Sequence, residues 1–239
     1  MKQLIASIFL LLMGCSLKPQ QWQDFTPTGY NDAFFSSVSF INEKEGWVIA
    51  RPEWPGNYDL LYTSDGAQSF EKLFSLPDGM ECWKLQMIDS LYGYAKIEYS
   101  ANYENYFWKT TDGGLTWQDI TDTSLFNIGG DLYSSRTFFF TDRNTGCIGG
   151  YKSIYKTVDG GLNWQRMNTP QVIDSLYVNS SYKPNALYFI DNQYGWAACT
   201  LYWDAGFGMK TTDGGVNWTV CTPITGDLWD VNFVDSLTG

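Results

Sequence analysis

Apolar and polar residues alternate along short segments of the chain, and the alternation returns at regular intervals. Pairs of apolar side chains two residues apart recur in the same context: Val38/Phe40, Leu85/Met87, Leu187/Phe189 and Val231/Phe233. A period of two is typical of a β-strand with one buried face. Each pair is followed by a polar turn and then by another short apolar segment. The pattern predicts short strands joined by tight turns.

One polar turn recurs four times, as TSDGAQSF (63–70), TTDGGLTW (110–117), TVDGGLNW (157–164) and TTDGGVNW (211–218). The four aspartates are 47, 47 and 54 residues apart: Asp65, Asp112, Asp159 and Asp213. An Asp side chain can accept N–H bonds from the backbone that follows it, and glycine supplies a positive φ. These residues are therefore expected to be structural, and so are the aromatic residues that follow and pack in the core: Trp117, Trp164 and Trp218. Ala67 and Phe70 depart from the pattern, which predicts a looser first turn.

A second turn recurs in phase with the first. Each copy has an Asp or Asn four residues before a glycine: Asn42/Gly46, Asp89/Gly93, Asp142/Gly146, Asp191/Gly195 and Asp235/Gly239. Each complete unit of about 47 residues then contains four predicted strands, A to D, with constant A–B and C–D turns. In an up-and-down sheet these two turns lie at one end, and the B–C and D–A connections lie at the other.

A repeated four-stranded unit of this length predicts an all-β fold, the β-propeller, built of four-stranded antiparallel blades. The segment WQDF (22–25) has the sequence of a D strand, so residues 22–33 are expected to contain a closing D strand and the lead-in to blade 1. About four and a half blades are then present, which predicts a piece of a larger ring. Blades 1 to 4 and the start of the last or next blade are placed at residues 34–75, 76–122, 123–169, 170–223 and 224–239.

Residues 1–15, MKQLIASIFLLLMGC, predict a signal peptide, because Lys2 precedes an apolar run that is too short to span a bilayer. The run ends in Leu-Met-Gly-Cys, which resembles the cleavage box of bacterial lipoproteins. That resemblance implies lipidation of Cys15, a short tether at residues 16–21, and attachment to the cell envelope. Ser16 after the cysteine resembles the signal for sorting to the outer membrane. An ordinary secretory signal is the alternative.

The T-x-D-G-G-x-x-W segments resemble the Asp box of the bacterial neuraminidase repeat, which also occurs in sortilins and xyloglucanases. The combined pattern, F-x-D-x-x-x-G-W followed by K-T-x-D-G-G-x-x-W, looks most like the photosystem II assembly factor family and its bacterial relatives. The resemblance covers residues 22–239. It implies a β-propeller, in that family one of seven blades, that acts as a protein-binding scaffold.

The B–C and D–A connections vary in length, whereas the two turns do not. Variation confined to one face of a repeat is typical of a scaffold that presents a binding surface. These connections are rich in aromatic and acidic residues, which suit stacking against sugars or contact with a peptide. The alternative is that the rings pack against one another. The candidate ligand residues are Trp54, Tyr58, Tyr103, Tyr106, Tyr133, Tyr177, Tyr182, Trp203 and Asp204.

The composition of the chain argues against several classes of function. The chain has 239 residues, 26 Asp and Glu, 15 Lys and Arg, and a formal net charge of −11, which disfavours binding to nucleic acid. It has no histidine, so triads and metal sites that need histidine are excluded. No sequence motif for a cofactor occurs. The expected partners are therefore a protein or glycan ligand and, through the lipid anchor, a membrane.

Two classes of function remain open. The first is a non-catalytic scaffold that binds through the variable loops, and the second is a glycoside hydrolase of sialidase or xyloglucanase type. A sialidase needs three arginines around a carboxylate, and only Arg51 and Arg136 are placed near the variable loops. A xyloglucanase needs two facing aspartates; the available ones are Asp59, Asp131, Asp174 and Asp204. Nothing in the sequence singles out a pair among these four. The aspartates of the recurring Thr-x-Asp-Gly turn lie at equivalent positions, one in each blade, and cannot converge on one substrate, so we favour the scaffold.

Four cysteines follow Cys15: Cys82, Cys147, Cys199 and Cys221. Cys199 and Cys221 are placed on strands B and D of one blade, and strand C separates them by about 9–10 Å. That separation exceeds the reach of a disulfide, about 7 Å between Cα atoms. We therefore expect buried free thiols.

Overall fold

The structure is a computed structural model that describes residues 25–52, 56–126, 130–132, 135, 137–170, 182–201, 205–226 and 228–239. In these ranges the chain forms four sheets, each a meander of four antiparallel strands in sequence order. The only helix described, α1 (Thr123–Phe126), is a single turn. No helix within the described ranges has the length and apolar character needed to cross a membrane. The segment WQDF lies outside the described residues except for Phe25.

The strands of the first two sheets are β1 (Phe34–Phe40), β2 (Gly46–Arg51), β3 (Asp59–Thr63), β4 (Glu71–Ser75), β5 (Met80–Met87), β6 (Gly93–Tyr99), β7 (Glu104–Thr110) and β8 (Gln118–Asp119). Those of the last two are β9 (Phe138–Phe140), β10 (Gly146–Gly150), β11 (Ser153–Thr157), β12 (Gln165–Arg166), β13 (Tyr182–Phe189), β14 (Gly195–Leu201), β15 (Ala205–Thr211) and β16 (Thr219–Thr225). Each sheet corresponds to one predicted blade, so the expected all-β fold of four-stranded antiparallel blades is confirmed.

The C–D turn has the same hydrogen bonds in all four blades. In blade 4 the buried hydroxyl of Thr211 donates to Asp213 Oδ1 (2.8 Å) and accepts from the N–H of Gly215 (2.9 Å). Asp213 Oδ1 then accepts from the N–H of Asn217 at 2.9 Å. Blade 1 makes the same three bonds although Ala67 replaces the second glycine, with φ 71°. The expected loosening of the first turn is therefore wrong: its hydrogen bonds hold the alanine in the left-handed region.

Neighbouring blades are joined through their A strands. The hydroxyls of Ser37 and Ser39 on β1 each accept a backbone N–H from β5, at 2.9 Å. The Gln86 side-chain amide donates to the carbonyl of Phe140 on β9 and accepts its N–H, at 2.9 and 2.8 Å. Each A strand is the edge of its four-stranded sheet, so some of its backbone groups have no partner strand. A side chain that reaches across from the neighbouring A strand satisfies these groups. These links join blade 1 to blade 2 and blade 2 to blade 3.

The core is divided into clusters between adjacent blades. Trp117, Trp164 and Trp218 each pack into the cluster between their own blade and the preceding one, as expected. Trp47 crosses one of these interfaces and donates its ring N–H to the carbonyl of Gly113 at 2.8 Å. Burial of aromatic rings at these interfaces makes each blade depend on its neighbours.

The A strands contain an irregularity that the alternation does not show. Their pairing with the B strands shifts register between Phe35 and Ser37, between Cys82 and Lys84, and between Pro184 and Ala186. The extra residues occupy equivalent positions: Ser36, Trp83 and Asn185. A bulge bends the strand and changes which face the following side chains occupy. The A strands of blades 1, 2 and 4 therefore present different faces before and after the bulge.

Cys82, Cys147 and Cys199 are buried free thiols, as expected. Burial raises the pKa of Cys82 and of Cys147 to about 12, so these thiols are unreactive at neutral pH. Cys221 is also free but exposed, so the expectation of burial is wrong there. It lies on β16, the D strand of its blade, which has no further strand beside it in that sheet.

The C–D turn gives the first prediction. Thr211→Val keeps the shape of the side chain but leaves the buried N–H of Gly215 without its acceptor, which costs about 1–3 kcal/mol. The thermal midpoint should fall by about 2–4 °C for each kcal/mol. Thr212→Val is the matched control, because Thr212 is exposed and valine occupies the equivalent position at Val158. Equal midpoints for the two variants in calorimetry would contradict the assigned role of the hydroxyl.

Candidate functional site

The two ends of the blades differ in construction. In every described blade the first turn glycine donates its N–H to a carbonyl of the A–B turn, at 2.8–2.9 Å; the pairs are Gly66/Lys44, Gly113/Leu91, Gly160/Asn144 and Gly214/Gln193. The A–B and C–D turns therefore meet at one end of the fold, which we call the turn end. The B–C and D–A connections lie at the opposite end, which we call the loop end.

Exposed apolar side chains are sorted by type between these ends. At the turn end they are aliphatic: Leu91, Leu115, Val158, Leu162, Val216, Val234 and Leu237. At the loop end they are aromatic: Phe34, Tyr103, Tyr151 and Trp229. Phe25 and Val38, the other large apolar side chains exposed in the described residues, lie outside these turns and loops. The loop end therefore presents flat rings with a polar atom at the tip of several of them, which suits stacking against a ligand.

The structure keeps two of the predicted ligand residues near the surface. Tyr103 is 61% exposed and forms part of the B–C loop of blade 2, where it adopts the left-handed region with φ 58°. Tyr106 on β7 is half-buried and donates its hydroxyl to Glu104 at 2.7 Å. That hydrogen bond raises the pKa of Tyr106 to about 12, together with burial and the nearby charge. Tyr106 is thus held by its own strand, whereas the Tyr103 ring is free to meet a ligand.

Two other predicted ligand residues belong to the core. Tyr58 and Tyr182 are each only 4% exposed. Tyr58 packs between blades 1 and 2 with the Arg51 guanidinium 4.9 Å from its ring, and Tyr182 packs edge-on against Phe207. Both rings close the interior at the loop end, and the ligand face therefore does not include them. The other candidates lie outside the described residues: Cys15, Trp54, Tyr133, Tyr177, Trp203 and Asp204.

Three exposed aromatic residues were not among the ligand residues predicted from the sequence. Phe34 begins β1 beneath the Arg51 guanidinium, which lies 5.6 Å from its ring. Tyr151 precedes Lys152, which has a positive φ of 53° at the B–C turn of blade 3. Trp229 is 69% exposed just before the fifth A segment. A signal existed for Trp229, because it stands two residues before Val231 as Trp83 stands two residues before Leu85.

Two aspartates nominated for a hydrolase site are occupied by internal partners. Asp59 is buried and accepts hydrogen bonds from the hydroxyls of Tyr30 (2.7 Å) and Ser75 (2.6 Å), with the Lys72 ammonium 3.6 Å away. Asp131 accepts from the Tyr155 hydroxyl at 2.6 Å and lies 3.8 Å from Arg166. These carboxylates hold loop segments against strands. Asp174 and Asp204 lie outside the described residues.

Arg143 lies in the A–B turn of blade 3, at the turn end. It donates to Asp89 at 2.6 Å, and its guanidinium is 3.9 Å from the centre of the Tyr92 ring. This pair joins the A–B turns of blades 2 and 3. Within the described ranges, no three acidic or cysteine side chains are placed to hold a metal ion.

Comparison with known proteins shows the fold alone. No family profile matches the sequence, and no curated protein does. Among solved structures the chain is similar to the GH74 xyloglucanase of Xanthomonas campestris, with 13% identity and a TM-score of 0.54. The fold is a β-propeller. The similarity covers 80% of this chain but only 31% of the xyloglucanase chain, so the propeller here spans less than a third of that enzyme.

The Asp59 cluster gives the second prediction. Tyr30→Phe removes one donor from a buried carboxylate and should lower the free energy of unfolding by about 1–3 kcal/mol in urea denaturation. Tyr103→Phe is the control, because Tyr103 is exposed. If both variants unfold at the wild-type urea concentration, the Tyr30 hydroxyl does not hold the lead-in segment.

Proposed function

We propose that this protein is a non-catalytic, lipid-anchored scaffold of the bacterial cell envelope that binds a glycan at the loop end of its propeller. The observation that carries the proposal is the sorting of exposed side chains, with aromatic rings at the loop end and aliphatic ones at the turn end. A sugar ring offers a flat face of C–H groups that stacks on an aromatic ring.

The net charge of the chain limits the class of polysaccharide that it can bind. A net charge of −11 repels polyanions, and Arg51 and Lys152 at the loop end each lie beside an aromatic ring. A neutral polysaccharide fits this surface better than an acidic one. The similar solved structure is named a xyloglucanase, which makes xyloglucan a reasonable first ligand to test. The resemblance to photosystem II assembly factors supports the role of a scaffold and leaves a protein ligand as the alternative outcome.

The third prediction tests the loop end directly. Tyr103→Ala should weaken binding to xyloglucan at least about tenfold, or about 1.4 kcal/mol, in affinity electrophoresis or calorimetry. Leu115→Ala and Leu162→Ala are matched controls, because these residues are equally exposed but lie at the turn end. Unchanged binding in Tyr103→Ala, or loss in the turn-end variants, would reject the proposed surface.

A glycoside hydrolase is the second candidate, and the named activity of the similar structure is the observation that favours it. The same preparations should be incubated with xyloglucan oligomers and with fluorogenic sialosides. We expect binding without release of reducing ends or fluorophore. If hydrolysis of either substrate persists through purification and is lost in an aspartate variant, the protein is an enzyme and the scaffold proposal is wrong.

The lipid anchor gives the fourth prediction. Because Leu-Met-Gly-Cys resembles a lipoprotein box, the wild-type chain expressed with its signal should incorporate labelled palmitate and fractionate with the outer membrane. Cys15→Ser should lose the label and the membrane association, whereas Cys221→Ser, which removes an exposed thiol, should keep both. Label retained in Cys15→Ser would show an attachment elsewhere.

A further inference from the structure

A lysine is buried in the core between blades 2 and 3. Lys96 on β6 is 0% exposed. The third residue after the turn glycine is Lys96 in blade 2, and the equivalent residues of the other blades are Ile49, Gly149 and Ala198. An interior that holds small or apolar side chains in three blades thus contains an amine in the fourth, and buried amines are costly unless they are paired.

The Lys96 side chain extends toward the loop end. Its backbone partner across the sheet is Phe107, but its Nζ donates to the side-chain oxygen of Asn105, two residues nearer the loop. Asn105 in turn donates its side-chain N–H to the carbonyl of Tyr103 at 2.7 Å. The N–H of Tyr103 is bonded to the carbonyl of Tyr99 at 2.8 Å. A continuous chain of hydrogen bonds therefore connects the buried amine to the exposed loop.

This chain holds an unfavourable conformation. Tyr103 has φ 58°, and the left-handed region costs a bulky residue on the order of 1 kcal/mol or more. Its carbonyl is fixed by Asn105, and Asn105 is fixed by Lys96. Residues 100–103 are exposed, so they supply little packing of their own. The geometry that presents the Tyr103 ring thus depends on the buried pair beneath it.

The surroundings of Lys96 carry few charges. From β5 it meets the Cys82 thiol and its register partner Lys84, and on its own strand it meets Glu98. The Phe126 ring of α1 lies 5.5 Å from Nζ, and that helix carries no titratable side chain. Burial lowers the pKa of Lys96 to about 7, against the opposing effects of Glu98 and Cys82. Burial also lowers the pKa of Lys84 to about 8.

Protonation of this amine favours opening of the loop. An ammonium has three N–H donors, and Asn105 is its one hydrogen-bond acceptor among the described residues. A charged Lys96 is therefore poorly solvated unless water reaches it. The exposed loop at residues 99–104 lies on the loop side of the Lys96–Asn105 pair, so opening it exposes that pair to water.

We propose that Lys96 is a positioning residue for the loop at residues 99–104, and that its protonation opens this loop and withdraws Tyr103 from its ligand-binding position. The ligand-binding half of this inference rests on the proposed function, whereas the loop itself can be measured without any ligand. The sign is fixed by linkage: the open state binds the proton more tightly, so acidification favours opening and alkaline pH favours the closed loop.

Hydrogen exchange of the Tyr103 backbone N–H measures the equilibrium in the whole protein. After correction for intrinsic exchange, opening should increase by about 30-fold from pH 8.5 to pH 6 if the open loop restores an ordinary lysine pKa of about 10.5. Lys96→Gln keeps a donor for Asn105 but does not titrate, so its opening should change less than about twofold. Lys44→Gln, an exposed lysine at the turn end, is the control and should match the wild type.

The hydrogen-exchange and binding experiments test separate parts of the proposal. A flat profile in the wild type, or an unchanged slope in Lys96→Gln, overturns the role of Lys96; the wild-type profile decides this even if the variant does not fold. With xyloglucan as the probe, the wild type should bind more weakly at pH 6 than at pH 8.5, and Lys96→Gln should not. If opening of the loop depends on pH but the affinity for xyloglucan does not, Tyr103 is not part of the ligand site. If opening of the loop depends on pH but xyloglucan binds at neither pH, the proposed function is rejected and the pH-dependent loop equilibrium stands.

Discussion

Each described blade depends on one hydroxyl group, that of the threonine that begins its C–D turn. The hydroxyl is buried, accepts backbone N–H groups that have no strand partner, and orients the aspartate that closes the turn. The closed turn aims the N–H of its first glycine at the A–B turn, so the four strands of the blade are fixed at that end. In blades 2, 3 and 4 the tryptophan five positions after the aspartate therefore packs at the interface with the preceding blade.

A blade that is fixed at one end leaves the other end free to vary. In the part of the chain that the structure describes, the B–C and D–A connections are held by different side chains in different blades, such as the Asp59 cluster in blade 1 and the Asp131 cluster in blade 3. Surface composition follows this division. Aliphatic side chains recur at equivalent turn positions, whereas exposed aromatic rings occur at positions that differ from blade to blade. A binding surface assembled this way can be specific even though the scaffold is periodic.

The sequence was sufficient for the blades because their determinants are local. The Thr-x-Asp-Gly turn and the period-two alternation are each complete within about eight residues. The loop end was harder, since the fate of a ring there is decided by residues far along the chain. Tyr58 is covered by Arg51 and by the core shared with blade 2, and Tyr182 by Phe207. The bulge in the A strands of blades 1, 2 and 4 interrupts the alternation close to the loop end, so the period no longer predicts which side chains face solvent there.

Lys96 shows why a departure from the repeat is informative. Stability alone would favour the aliphatic residue found at Ile49 or Ala198, because a lysine whose pKa is lowered in the folded state makes folding less favourable at neutral pH than at alkaline pH. The cost is confined to one interface, and the hydrogen bonds of the amine lead to one exposed loop. A side chain that weakens the core while fixing a strained aromatic residue at the surface is best explained by what that residue contacts.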